Sequence, residues 1–157
     1  MGIESDNRRE VPMDWGNRGG SGSIGPRQAA GTDEVSRLLR DLKADNWHVR
    51  QAAVRQIGSI TDPALLEDLL ARLAGERWYV REAAAAGIRG LTCSSLGPIL
   101  VKAMTQGDDI LINAVTCALG CLRYREAEPL LEQAASDPDC RVRRSARTAL
   151  ERIRDSA

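Results

Sequence analysis

The chain has 157 residues and 17.1 kDa, enough for one ordinary domain. Lys plus Arg and Asp plus Glu number 22 each, so the formal net charge is zero, which argues against a whole-surface electrostatic footprint for nucleic acid or anionic membrane. Phe is absent, and the aromatics are Trp15, Trp47, Trp78, Tyr79 and Tyr124, which excludes a core of large rings and leaves small and aliphatic residues to fill it.

Residues 1–31 hold seven of the fourteen glycines and two of the six prolines. Such a composition buries too little apolar surface to offset the entropy of ordering, so the expectation is a Gly-rich flexible arm over 1–31 and a folded region over 32–157. Four arginines in the arm (Arg8, Arg9, Arg18, Arg27) are balanced by Glu4, Asp6, Glu10 and Asp14, which is not the pattern of a basic nucleic-acid arm. Trp15 is its one anchor for a partner. This stretch lacks the apolar run of a signal peptide, and no run reaches the roughly 18 apolar residues of a membrane span. The expectation is a cytoplasmic protein without membrane insertion, its four cysteines reduced.

Beyond the arm the sequence repeats with a period of 31. Val49, Val80, Leu111 and Val142 are in register, as are Ala53, Ala84, Val115 and Ala146, then Ile57, Ile88, Leu119 and Leu150, then Ile60, Leu91, Leu122 and Ile153. Within a unit these fall at i, i+4, i+8 and i+11, one stripe of an α-helix. A second stripe of the same period runs through Leu38, Leu69, Leu100 and Leu131, followed one turn later by Leu42, Leu73, Met104 and Ala135. In chain order the pattern predicts helices near 33–43, 46–60, 63–74, 77–91, 96–105, 109–123, 126–135 and 139–154. Asp45, Asp108 and Asp137 stand where a side-chain oxygen can cap the helices of the first stripe. One unit cannot bury its apolar face alone, whereas four stacked units can. The predicted fold is all-α, a right-handed solenoid of about four helix pairs, opening with a lone helix of the second kind and closing with a lone helix of the first.

The stretches Asp45-Asn-Trp-His-Val-Arg-Gln-Ala-Ala, Glu76-Arg-Trp-Tyr-Val-Arg-Glu-Ala-Ala and Asp137-Pro-Asp-Cys-Arg-Val-Arg-Arg-Ser-Ala resemble the short HEAT-like repeats named after the phycobilisome lyases. The resemblance covers residues 33–155. It implies an α-solenoid and leaves function open, since such repeats serve bilin lyases, a di-iron hydroxylase and many non-catalytic adaptors and assembly factors. The hydroxylase branch, deoxyhypusine hydroxylase, holds iron with His-Glu pairs; here the one histidine, His48, is followed by Val49, which argues against that activity.

No nucleophile with an adjacent base, no phosphate loop and no metal cluster stands out, so no catalytic residue, metal site or cofactor is expected. His48 reads as a surface residue at a helix start, its repeat equivalents being Tyr79, Ile110 and Arg141. Cys117 and Cys121 share a helical face and, by the repeat offset, lie near Cys93; three gathered thiols could bind metal or act in redox chemistry, while buried free Cys also serves as a small hydrophobe. Trp47 and Trp78 are repeat equivalents that either form an aromatic ladder for a partner or pack over the helix starts. Ile112 interrupts a pattern in which Arg50, Arg81 and Arg143 follow the stripe valine, and Ile110 stands where His48, Tyr79 and Arg141 precede it. With Cys117, Cys121, Tyr79, Trp78 and Trp47 they outline a docking patch, or else denser packing between helices. Arg141, Arg143, Arg144 and Arg147 on the last helix form either a solvated end cap or a contact for an acidic partner. The leading expectation is a non-catalytic interaction module that binds a protein partner, a larger complex or a second copy of itself. The alternative is a bilin-lyase-like subunit or cofactor chaperone, for which the concave helices offer little apolar groove.

Overall fold

A computed structural model describes residues 26–156. Residues 1–25 of the expected arm, with Trp15, lie outside the described residues. Eight α-helices follow one another: α1 (Pro26–Leu42), α2 (Trp47–Gly58), α3 (Pro63–Leu73), α4 (Trp78–Ile88), α5 (Gly97–Met104), α6 (Asp109–Leu122), α7 (Glu128–Ala134) and α8 (Cys140–Arg154). Single 3-10 turns, Ser94–Leu96 and Arg125–Ala127, lead into α5 and α7. Among the described residues there is no strand, and no helix is long and apolar enough to cross a membrane. The even helices pack in one continuous row, α2 on α4, α4 on α6 and α6 on α8, while α1, α3 and α5 line up beside it. This is the α-solenoid that the period predicts.

Two expectations need correction. α1 starts at Pro26 rather than at 33, so the helix crosses the boundary that glycine content suggests at residue 31. Proline is preorganised for the first helical position, and Val35, Leu38 and Leu42 provide the apolar face that holds the helix to its neighbours. Among the described residues there is also no lone helix at either end. α1 packs against α2 and α7 against α8, so the eight helices divide into four whole pairs.

Both stripes form the core. Ile57, Ile88 and Leu119 are fully buried, as are Leu69, Leu100 and Leu131. The departures are instructive: Leu122 and Ala135 are half-buried, and Val49 is 37% exposed while Val80, Leu111 and Val142 are buried. Among the described residues α2 is the first of the even helices, with none before it.

Adjacent even helices approach closely because small residues stand between them. A Cβ on Gly87 would come within 2.6 Å of the Val54 carbonyl oxygen and 2.7 Å of Ile57 Cβ, and one on Gly120 within 2.7 Å of Ala149. The turn after α6 is a Schellman motif: the Tyr124 amide donates to the Leu119 carbonyl (3.1 Å) and the Arg123 amide to that of Gly120 (3.2 Å). Arg123 occupies the left-handed position at φ 53°, where glycine is usual. The Tyr124 ring then lies over Gly97, and its hydroxyl donates to the Glu126 carboxylate, which raises the phenol pKa.

Candidate interaction surface

The even helices all begin along one edge of the stack, and their caps set which side chains appear there. Asn46 accepts from the His48 amide (2.9 Å), Asp108 from that of Leu111 (3.0 Å), and Asp139 from those of Arg141 (2.7 Å) and Val142 (3.4 Å). Arg77, at the start of α4, makes no side-chain cap. The first two residues after each cap are Trp47-His48, Trp78-Tyr79, Asp109-Ile110 and Cys140-Arg141. Trp47 is 59% exposed, Trp78 67% and Tyr79 42%, so neither tryptophan is packed away over its helix start. Each meets its chain neighbour edge-on, Trp47 with His48 at 5.3 Å between ring centres and Trp78 with Tyr79 at 6.2 Å. The result is an aromatic ledge over the first two pairs. It gives way to a charged stretch in which Arg141 feels Glu82 and Asp109.

The arginine after the stripe valine has a structural task. Arg50 donates to the Ala44 and Asp45 carbonyls (2.5 and 2.9 Å), and Arg143 to those of Asp137 and Pro138 (both 2.8 Å). Each thereby pins the turn that enters its own helix. Arg81 instead reaches the next unit, pairing with the Asp108 carboxylate (2.9 Å). At the equivalent position Ile112 is half-buried against the core. The sequence marks this position by its interruption, but the acceptors are backbone oxygens that no side-chain pattern names.

The remaining predicted residues separate into different places. Ile110 is half-buried beside the core at the end of the ledge. Cys117 and Cys121 face α8: Cys117 donates to Ser145 Oγ (3.3 Å), and Arg152 Nη1 lies 3.0 Å from Cys121 Sγ. Ser145 in turn donates to Asn113 Oδ1 (2.6 Å). Cys93 instead contacts the Ser95 hydroxyl (3.0 Å), which together with the Ser95 backbone lowers its thiol pKa. The three thiols therefore do not assemble as the repeat offset suggests, and among the described residues no group of three His, Cys, Asp or Glu side chains could hold a metal ion. All four cysteines are free. On the last helix Arg141 pairs with Asp139 (3.2 Å), whose carboxyl it holds below the usual range, and Arg143 is committed to its turn. Arg144 and Arg147 are exposed.

One feature overturns the expectation of little groove. A cleft of about 490 Å³ runs between α3 and α5, walled by Leu70, Ala74, Ile99 and Ala103 and floored by Leu111. Its charged residues are paired with each other: Lys102 with Glu67 (2.5 Å) and Arg81 with Asp108. Its walls come from different helices at positions without a shared residue type, so the repeat pattern carries no sign of it.

This stack of paired helices, with close-packed even helices and an exposed edge, has the architecture of a helical-repeat solenoid. Residues 21–89 match the family model for HEAT repeats, which supports a HEAT-like repeat protein. The matched stretch takes in α1 to α4, and the 31-residue period carries the same pattern through α8. No curated protein matches the chain.

Proposed function

We propose that this chain is a non-catalytic protein–protein interaction module, a small adaptor, accessory subunit or assembly factor, and that the aromatic ledge is its principal contact. HEAT repeats generally mediate protein–protein interaction. The observation that carries the reading is the exposure of Trp47 and Trp78 at equivalent places on successive units. Trp is a preferred hot-spot residue, and two of them left in solvent on a rigid scaffold serve binding better than they serve folding. Ile110, at the far end of the ledge, extends the apolar contact toward the third unit. The test is purification from native cells of the wild type and of the Trp47→Ala/Trp78→Ala variant. A stoichiometric partner retained by the first and lost by the second, at unchanged melting temperature, supports the reading. A sedimentation shift lost in the same variant would identify the partner as a second copy.

A second reading, a bilin-lyase-like subunit or cofactor chaperone, draws on the α3–α5 cleft, whose volume lies within the range of small-molecule sites. It predicts a visible absorbance that copurifies with the protein and disappears in Ile99→Arg.

A further inference from the structure

The α6–α8 seam opens at the surface into a notch of about 180 Å³ lined by Cys117, Arg144, Ser145, Thr148, Ala149 and Arg152. Arg144, Thr148 and Arg152 follow at i, i+4 and i+8 on α8, which sets a hydroxyl between two guanidinium groups on one line. Of the other arginines of the helix, three are paired or hydrogen-bonded, and Arg147, exposed and without a partner among the described residues, lies outside the notch. Arg141 pairs with Asp139, Arg154 with Glu132 (2.7 Å), and Arg143 donates to backbone carbonyls. Arg144 has no hydrogen bond or ion pair among the described residues, and Arg152 touches a sulfur rather than a carboxylate. The floor is fixed, because Ser145 gives its proton to Asn113 and accepts from Cys117. Thr148 and the free guanidinium N–H groups remain as donors. No carboxylate lines the notch; Glu151 on this helix and Asp155 at its C-cap lie outside it.

Two guanidinium groups flanking a hydroxyl at one notch suit an anion of about two charges. A carboxylate would leave one of them uncompensated, whereas a phosphomonoester supplies both charges and three acceptor oxygens in a geometry that arginine matches bidentately. We propose that this notch binds a phosphomonoester dianion. The proposal stands apart from the aromatic ledge, so Trp47→Ala/Trp78→Ala leaves phosphate binding unchanged.

The test is calorimetric titration of the full chain, at constant ionic strength, with inorganic phosphate, a phosphoserine peptide and the same peptide unphosphorylated. The Arg144→Gln/Arg152→Gln variant is compared with Arg125→Gln/Arg147→Gln, which removes the same charge outside the notch. The expected result is binding of the phosphorylated ligands only, weakened about tenfold or more in the first variant and within about twofold of wild type in the second. Thr148→Ala gives a smaller loss that involves no charge change. A peptide that binds more tightly than phosphate identifies a protein-borne group, and equal affinity identifies a small phosphate; either supports the notch. Equal weakening by the two charge-matched variants, or no binding of phosphate or phosphopeptide, overturns it.

Discussion

The α2–α4 and α6–α8 seams use the same two register positions in different ways. In the first, Gly58 and Gly87 face each other and the contact is backbone on apolar side chain; in the second, Gly120 meets Ala149, and a polar chain of Asn113, Ser145 and Cys117 runs beside it. The comparison separates two requirements that a repeat signature merges. Close approach needs a small residue on each helix, whereas the polarity alongside is set by what lies next to the seam. The first seam ends in exposed aromatics, and the second opens into the cationic notch.

The largest way to disturb this comparison is to fill the small positions. Gly87→Ala and Gly120→Ala should each cost about 1–3 kcal/mol in chemical denaturation, because each new methyl meets backbone or Cβ atoms that cannot move without separating helices. Combining Gly120→Ala with Ala149→Gly should recover part of the loss, since the added methyl then faces a hydrogen. Between the two seams, Asp108 caps α6 and pairs with Arg81. Asp108→Ala should therefore cost about 1–2 kcal/mol, the cap accounting for most of it.

Acid should act at the α8 end. Hydrogen bonds from Arg141 and the helix amides hold the Asp139 carboxyl below its ordinary value. Its contribution to stability is thus complete above the unfolded carboxylate pKa of about 4 and is lost as pH falls through the lower folded value. The melting temperature should drop in that window, and Asp139→Asn should flatten the drop. A smaller effect of opposite sign is expected at Arg123, where Arg123→Gly should stabilise by about 0.5–1 kcal/mol by relieving the left-handed backbone.

The helical stack was legible because apolar residues recur every 31 positions and a stripe needs nothing more than spacing to be seen. What depended on neighbours was not legible. Val49 carries the same side chain as Val80, yet it is exposed, and α2 is the first of the even helices among the described residues. The three thiols fell apart because a repeat offset gives a row along the stack but not the direction in which each side chain leans. The early start of α1 was concealed by glycines that composition assigns to the arm, although Pro26 is a helix-start residue. For the ledge, the sequence located Trp47 and Trp78 as equivalents and favoured packing over the helix starts; instead both are exposed.

The most direct test of the binding-module account is the native purification of wild type beside Trp47→Ala/Trp78→Ala, with melting temperature measured on both. These side chains are exposed, so stability should stay within about 0.5 kcal/mol of wild type while a stoichiometric protein partner is lost. A partner held equally well by the variant, or a variant that fails to fold, would contradict the assignment of the ledge as the contact.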